Sequence, residues 1–339
     1  MTNFSIKRTI CIITGIMAWF NATAKGTWHN EVKAAISEIT VESLFHDISF
    51  LSDSLCNGRA TGTRGNVEAA FWINRKFEQA GLLCMNGSYG SHFVTPTGAN
   101  AHNIMGMLPG ALSMPRDRYI IIGAHFDHLG ELGGKMYPGA DANASGTAAL
   151  TSLAEMFGSM KAQGKVYDCN IIFVAFDAKE MDMSGSEALW KLIDYGILKD
   201  PLTGKSVSKE KIMLMINIDQ IGSSLSPVHK DRNDYMIMLG NNSLHKDRRM
   251  DIEVCNMLHD INLDLCLSYY GSKTFTDVFY RLSDQRVFVD NHIPAVLFTS
   301  GITMNTNKTR DTAESLDMET LHKRIRLIFH WTQQMTELL

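Results

Sequence analysis

The sequence lacks the features that mark several large classes of protein. Its 339 residues include only 7 prolines and 6 cysteines, and no two cysteines have CxxC spacing. This composition argues against a disulfide-rich scaffold and against a zinc-finger module. The 32 basic residues are outnumbered by 36 acidic ones, which gives a formal net charge of −4. Because proteins that bind nucleic acid usually carry a basic excess, we expect no nucleic-acid partner.

Long apolar runs are also absent, apart from one short run near the N-terminus. Lys7 and Arg8 precede the apolar residues 10–20, and an Ala-Thr-Ala triplet that suits signal peptidase ends at Ala24. The 11 residues of this run rise only about 16 Å as a helix, whereas a bilayer core is about 30 Å thick. We therefore predict that residues 1–24 are a Sec signal peptide rather than a membrane anchor. The mature protein is then expected to be periplasmic or extracellular, without a membrane span.

The rest of the chain has the composition of a globular protein, with 45% apolar and 20% charged residues. Apolar runs of the β type are predicted to form strands over residues 119–124, 170–176, 212–219, 235–239 and 294–299. These runs are continuously apolar, as is typical of strands that are covered on both faces.

Helical patterns alternate with these strands, over residues 67–80, 145–157, 184–197, 244–261 and 318–338. In the first of these helices the spacing predicts a buried face made of Val67, Ala70, Phe71, Phe77 and Ala80. Asn66 is expected to cap this helix. The alternation of strands and helices predicts an α/β fold: a single three-layer domain over residues 25–339, with a mostly parallel central sheet and helices on both faces.

Three of the predicted strands end in, or are followed by, side chains that can bind a metal ion. In chain order these side chains are His125, Asp127, Asp177, Glu180 and Asp219, with Lys179 beside Glu180. Because the carboxyl ends of parallel strands share one edge of the sheet, we expect them to converge. Imidazole and carboxylate groups are typical zinc ligands, although an acidic residue after a strand also commonly caps a turn. The pattern therefore predicts a divalent-metal site at this edge.

The order of short sequence blocks along the chain resembles a known enzyme family. The blocks are LSDSLCNGRATGTRGNVEAAFWINRKFEQAGL (51–82), NIMGMLPG (103–110), AHFDHLG (124–130), YPGADANASGTAAL (137–150), FVAFDAKEMDMSGS (173–186), NIDQIG (217–222), SDQRVF (283–288), IPAVLFTSG (293–301) and TNKTRDTAESLD (306–317). Over residues 41–338 they are similar to metallopeptidase family twenty-eight, which includes bacterial leucine aminopeptidases, glutamate carboxypeptidase and glutaminyl cyclases. The resemblance implies a zinc-exopeptidase fold.

The resemblance also implies a catalytic site with two zinc ions. In most members a Glu that precedes a ligand Glu takes a proton from metal-bound water, which then attacks the peptide carbonyl. By this resemblance His125, Glu180 and Asp219 match three of the five metal-ligand positions. Asp127 matches the carboxylate that orients the first ligand His.

Several family positions carry different residues in this chain. The replacements are Ala142 for the bridging Asp, Lys179 for the general-base Glu, Asn307 for the late ligand His and Gln285 for the His of a Ser-Asp-His motif. The resemblance then implies at most one weakly bound zinc ion, on His125 and Asp219. Asp141 is a candidate substitute ligand, and the alternative is a loop residue that bonds the nearby backbone. His128 is expected to lie outside the ligand set.

These replacements favour an exported, aminopeptidase-like protein with little or no activity that binds a peptide or an amino-acid-like ligand. One alternative is a working peptidase that uses a single metal ion. Another is acyl transfer of the cyclase type, which is less favoured because cyclases keep the Asp that is Ala142 here. Lys179 is expected either to replace part of the missing metal charge or to point into solvent.

Overall fold

A computed structural model describes residues 32–111, 117–224, 232–269 and 271–338 of the chain. The predicted signal peptide lies outside these residues. Within the described part of the chain, no helix combines the length and the apolar character that a bilayer span requires.

The described residues form one large mixed sheet and a small hairpin. The strands are β1 (Leu83–Cys84), β2 (Gly90–Val94), β3 (Asn100–Leu108), β4 (Tyr119–His125), β5 (Gly130–Leu132), β6 (Lys135–Tyr137), β7 (Asn170–Phe176), β8 (Ile212–Ile218), β9 (Tyr235–Leu239), β10 (Asp264–Cys266) and β11 (Ala295–Thr299). The large sheet has the order β1-β3-β7-β4-β8-β11-β9-β10, with β2 also paired to β3, and β5 pairs with β6.

Helices precede, separate and follow these strands along the chain. They are α1 (residues 32–38), α2 (Val41–Leu51), α3 (Arg64–Gln79), α4 (Gly146–Ala162), α5 (Ser184–Asp194), α6 (Asp251–Leu258), α7 (Lys273–Phe279), α8 (Gln285–Asp290) and α9 (Met318–Leu338). Helices α2, α3, α4, α6 and α9 contribute to the core on one face of the sheet. Helices α5 and α8 contribute to the core on the opposite face.

The centre of the large sheet is parallel and its flanks are antiparallel. Strands β7, β4, β8 and β11 pair in parallel, whereas β3 and β9 join this group in the antiparallel sense. Every residue of β4 and of β7 is buried, as expected for strands that helices cover on both faces. The predicted three-layer α/β fold is therefore confirmed, with a sheet that is mixed rather than parallel throughout.

The buried face of α3 agrees in part with the sequence prediction. Ala70 and Phe77 are buried as predicted, and they pack on the core together with Ala69 and Ile73. The prediction is wrong for Val67 and Phe71, which are 54% and 63% exposed. The helix also begins earlier than predicted, because the hydroxyl of Thr63 caps it by accepting from the backbone N–H of Asn66. Asn66 is therefore not the cap.

The helix predicted over residues 244–261 is shorter in the structure. Only Asp251–Leu258 is α-helical, and Lys246–Arg248 forms a separate 3₁₀ turn. The polar residues before Met250 supply no apolar stripe that could pack on the core. After the helix, Asp260 and Asn262 adopt positive φ angles of 50° and 60°, which a continuing α-helix does not allow.

Candidate functional site

The parallel strands bring the predicted site residues to one edge of the sheet. Strand β4 ends in His125, β7 is followed by Asp177, and β8 is followed by Asp219. Because β4 pairs in parallel with both β7 and β8, the three strand ends are neighbours. This topology accounts for the convergence of an imidazole and several carboxylates.

His125 and Asp219 form a buried pair. Nε2 of His125 lies 3.3 Å from Oδ1 of Asp219. Burial acts to lower the pKa of His125, but the Asp219 carboxylate and the hydrogen bond with Asp127 together more than offset this effect, and the pKa is raised to about 10. Burial acts to raise the pKa of Asp219, but the charges of His125 and Lys179 hold it well below its usual range. The pair is therefore an imidazolium and a carboxylate at neutral pH.

Asp127 fixes both His125 and the loop that follows β7. Nδ1 of His125 lies 3.1 Å from the backbone oxygen of Asp127 and 3.5 Å from its Oδ1. The same carboxylate accepts hydrogen bonds from the backbone N–H groups of Lys179 and Glu180, each at 3.0 Å. Asp127 thus sets the position of the two residues that match the general base and a ligand.

Lys179 and Glu180 form an ion pair on this loop. Nζ of Lys179 lies 3.2 Å from Oε1 of Glu180, and the side chains are 18% and 25% exposed. Burial acts to lower the pKa of Lys179, but the charges of Asp219 and Glu180 hold it above its usual range. Lys179 is therefore a permanent cation at neutral pH.

Asp177 has a role in the scaffold. Its carboxylate accepts from the Thr61 hydroxyl and the Asn66 side chain, each at 2.9 Å, and from the backbone N–H of His102 at 3.0 Å. Burial, followed by the charge of Asp127, raises its pKa to about 7. It ties Thr61, before α3, and Asn66, within α3, to the end of β7, and it does not line the cavity described below.

Hydrogen bonds to the side chain of Asp311 fix the loop that carries Ala142. The carboxylate of Asp311 accepts from the backbone N–H of Asp141 at 2.8 Å and from that of Ala142 at 3.2 Å. Next to them, the side chain of Asn143 donates to the backbone oxygens of His125 and Ile218, at 3.2 and 2.9 Å. The loop is thus attached to the ends of β4 and β8.

Asp141, the candidate substitute ligand, makes contacts within this scaffold. Its Oδ1 accepts from the backbone N–H of Gly222 at 2.7 Å and from the hydroxyl of Ser145 at 3.2 Å. The side chain is fully buried. Ala142 rather than Asp141 lines the cavity described next.

A cavity of about 140 Å³ lies at this edge of the sheet. Its polar lining includes Lys179, Glu180, Asp219, Gln220, Ser283, Thr306 and Asn307, and its apolar lining includes Ala142, Tyr269, Phe279, Leu282, Leu297 and Ile302. The rings of Tyr269 and Phe279 stack with their centroids 4.0 Å apart. The structure therefore brings Glu180 and Asp219 together with the replaced positions Ala142, Lys179 and Asn307 around one space. An apolar wall borders this space and consists of Tyr269, Phe279, Leu282 and Ile302.

Two further predicted residues lie elsewhere. His128 is buried against Gly139, whose missing Cβ would lie 2.4 Å from the His128 ring. Burial, followed by the charge of Arg59, lowers the pKa of His128 to about 3, so the ring is neutral. Gln285 is buried, and its Oε1 accepts from the side chain of Asn217 at 2.7 Å.

The apolar wall is the part of the site that the sequence analysis missed. Tyr269 precedes α7, Phe279 ends this helix, and Ile302 follows β11. Isolated apolar residues in such segments have no spacing that marks them, and the fold alone brings them together. Leu282 and Ile302 are 51% and 46% exposed, which is a signal that only a structure gives.

The donor atoms at this edge do not match a two-zinc centre. A catalytic zinc ion usually has three protein ligands. Here a methyl group stands at Ala142, and the Lys179 ammonium, which cannot act as a ligand, lies beside Asp219 and Glu180. In the portion of the chain that the structure covers, no three His, Cys, Asp or Glu side chains are grouped so that they could hold a metal ion.

Known proteins share both sequence and fold with this chain. The alkaline phosphatase isozyme conversion protein of Escherichia coli K12 is 27% identical over 177 residues, which cover 48% of this chain. The match spans about half the length of that curated relative, 47%. The fold is similar to that of the LapA aminopeptidase of Legionella pneumophila, with 18% identity, a TM-score of 0.67 and coverage of 92% of this chain and 76% of that chain.

The fold is also similar to that of BSAP, a zinc aminopeptidase from Bacillus subtilis, with 12% identity and a TM-score of 0.64. That match covers 88% of this chain and 96% of the other. The sequence pattern of Peptidase family M28 matches residues 103–332, about two thirds of the chain. This protein therefore belongs to peptidase family M28.

Proposed function

We propose that this protein is an exported member of the family that binds a peptide or an amino-acid-like ligand at the sheet edge, without a metal ion and with little or no peptidase activity. One observation carries the proposal: the Lys179 ammonium and the Ala142 methyl group line the same cavity as Asp219 and Glu180. By family resemblance, the first two positions belong to the general base and the bridging ligand. The export part of the proposal depends on residues 1–24.

The chemistry of Lys179 supports weak or absent catalysis. A general base must accept a proton, so it works best when its pKa lies near the operating pH. The charges of Asp219 and Glu180 keep the pKa of Lys179 above its usual range, although burial opposes them. A lysine that is permanently protonated cannot take a proton from water.

The lining of the cavity supports a small ligand with an apolar side chain. The apolar wall of Tyr269, Phe279, Leu282 and Ile302 borders the cavity on one side. Gln220 and Asn307 add polar atoms to the lining. The volume of about 140 Å³ is small beside the roughly 300–1,000 Å³ of typical ligand pockets. It suits one amino-acid side chain, with the rest of a peptide lying outside.

One observation favours a second function, a peptidase with a single metal ion. Nε2 of His125 and Oδ1 of Asp219 are 3.3 Å apart. Two ligands of a tetrahedral zinc ion, with bonds of about 2.0–2.2 Å, stand at about this separation. In this alternative, zinc or a similar ion would be held by these two side chains and water.

The decisive experiment measures metal content, turnover and binding on the same purified mature protein. After dialysis, metal analysis is compared with release of chromophore from leucyl anilide, with and without added zinc or cobalt. Binding of leucine amide and of glycine amide is measured by calorimetry. The proposal expects less than one metal ion per chain and no release of chromophore. It also expects that, with a chelator present, leucine amide binds more tightly than glycine amide. Chromophore release that zinc stimulates and a chelator abolishes would favour the one-metal peptidase instead.

A variant of the apolar wall provides the control for the binding measurement. Leu282→Asp places a charge beside the bound side chain, and we expect at least a tenfold weaker affinity for leucine amide. Leu202→Asp is the matched control, because Leu202 is exposed to a similar extent, 49% against 51%, and does not line this cavity. Equal affinities of both variants would place the ligand somewhere else.

A further inference from the structure

The acidic side chains of the cavity require positive charge nearby. Asp219 and Glu180 line the same small space, and Asp219 is buried. Burial of an unpaired charge is costly, and two like charges in one site repel each other. In the family the metal ions meet this requirement, so a chain without the bridging carboxylate and the late His needs another source of positive charge.

Lys179 lies where it can supply this charge. Its backbone N–H donates to Oδ1 of Asp127 at 3.0 Å, which fixes the residue beside the cavity. Its Nζ lies 3.2 Å from Oε1 of Glu180, and its side chain is largely shielded from solvent. Lys179 lines the same cavity as Asp219 and Glu180. Its side chain is therefore directed toward the cavity rather than into solvent.

The residue at position 142 affects the charge of the cavity. An Asp at this position would add a negative charge, whereas Ala142 adds none. Asp219 and Glu180 then share the cavity lining with the Lys179 ammonium, whose Nζ lies 3.2 Å from Oε1 of Glu180.

We propose that the Lys179 ammonium is the resident cation of this site and that it stabilises Asp219 and Glu180 in place of a metal ion. This inference rests on the proposed metal-independent function, and it identifies Lys179 as the residue that allows the site to exist without a metal ion. The competing explanation is that Lys179 and Glu180 only form a partly exposed ion pair, and such pairs contribute little to stability. In that case Lys179 and Asp219 would not be coupled.

A double-mutant cycle on Lys179 and Asp219 separates the two explanations. Thermal melts in the presence of a chelator compare the wild type, Lys179→Met, Asp219→Asn and the double variant. The inference expects Lys179→Met to lower the melting temperature by about 5 °C or more. In the Asp219→Asn background the same substitution should have less than half of this effect, because the buried carboxylate that needs Lys179 is gone. Equal effects in both backgrounds would overturn the inference.

An exposed ion pair provides the matched control. Nζ of Lys211 lies 2.9 Å from Oδ2 of Asp117, and both side chains are 44% exposed. The cycle of Lys211→Met and Asp117→Asn should show additive effects, each smaller than about 1 °C. If Lys211 and Asp117 were coupled as strongly as Lys179 and Asp219, coupling would not be specific to the cavity, and this result would also overturn the inference.

Two further measurements keep the test decisive. If Lys179→Met does not fold, the inference requires the double variant with Asp219→Asn to fold, and failure of both refutes it. Zinc is then added to the wild type and to Lys179→Glu, and the inference expects a rise in melting temperature only for the variant. A rise of equal size in the wild type would contradict it. The calorimetric binding of leucine amide by the wild type tests the proposed function separately.

Discussion

Nε2 of His125 and Oδ1 of Asp219 stand 3.3 Å apart in a buried ion pair at the carboxyl edge of the sheet. A buried ion pair stabilises a protein weakly as a whole, but removal of one partner leaves the other charge buried and uncompensated. Replacement of either residue of this pair is therefore expected to destabilise the protein, whether or not the site is catalytic.

We predict that His125→Ala lowers the free energy of unfolding by about 3 kcal/mol. The substitution removes the imidazolium that faces Asp219 and the ring nitrogen that bonds the backbone oxygen of Asp127. Urea unfolding, followed by circular dichroism in the presence of a chelator, measures the change.

A second His–Asp pair in the same protein serves as the control. His245 and Asp247 are also 3.3 Å apart, but their side chains are 70% and 69% exposed. Because exposed pairs contribute about 0–1 kcal/mol, His245→Ala should leave the unfolding midpoint nearly unchanged. A loss of stability that is the same for both variants would show that burial of the pair at the site has no special effect.

The anchor of the Ala142 loop provides another prediction. Asp311→Ala removes the acceptor of two backbone N–H groups, those of Asp141 and Ala142. Each buried donor left without a partner costs about 1–3 kcal/mol, so we expect a loss of at least about 2 kcal/mol. Hydrogen exchange should also become faster at these two amides in particular.

Asp317→Ala is the comparison for this loop. Asp317 accepts from the backbone N–H and the hydroxyl of Thr320 at 3.0 and 2.7 Å, at the start of α9 and with partial exposure to solvent. Loss of such a contact at a helix start typically costs about 1 kcal/mol. If Asp311→Ala were the milder of the two, the proposed anchoring of the loop would be wrong.

The strands were predictable from the sequence because burial on both faces leaves a simple pattern. The predicted strand over 170–176 has the bounds of β7, since all seven of its side chains are buried. Helix α3 was harder, because its sequence carries two overlapping apolar stripes. Phe77 is compatible with both: one also contains Val67 and Phe71, the other also contains Ile73, and only contact with the sheet decides between them.

Some residues of the site were predictable from the sequence and others were not. Residues at strand ends, such as His125 and Asp219, were predictable because the parallel topology fixes where such ends meet. Tyr269 and Phe279 were not, because they reach the cavity from segments that carry no motif. The direction of the Lys179 side chain was also open in the sequence, since lysines are mostly exposed. In the structure, its Nζ lies 3.2 Å from Oε1 of Glu180, and the residue lines the cavity beside Asp219.

Export makes a prediction about residues outside the described part of the chain. If residues 1–24 are a signal peptide, the mature protein starts at Lys25 and is found in the periplasm or the medium. Ala24→Arg should block cleavage and leave a longer precursor, because signal peptidase requires a small residue at this position. Thr23→Ser is the control and should be processed normally. Mass spectrometry of both products decides the matter, and a mature wild-type chain that still begins at Met1 would contradict the prediction.

The last prediction is that three substitutions can build a metal site at this edge of the sheet. By the family resemblance, the combined variant Ala142→Asp, Lys179→Glu and Asn307→His supplies the bridging ligand, the general base and the late ligand His. All three positions line the same cavity as Asp219 and Glu180. The φ angle of Asn307 is 58°, a region that His enters more often than most residues, so the backbone accepts this change.

We expect the combined variant to retain zinc after dialysis, whereas the wild type does not. Zinc at 100 times its Kd should stabilise the variant by about 2.7 kcal/mol, because zinc binds the folded state and not the unfolded one. Metal analysis and thermal melts with added zinc measure the two effects. The same variant with Asp219→Asn is the control, since it lacks one ligand and should retain less zinc. If the combined variant and this control take up zinc equally, the metal does not bind at the sheet edge, and the residue matches with the family would have to be revised.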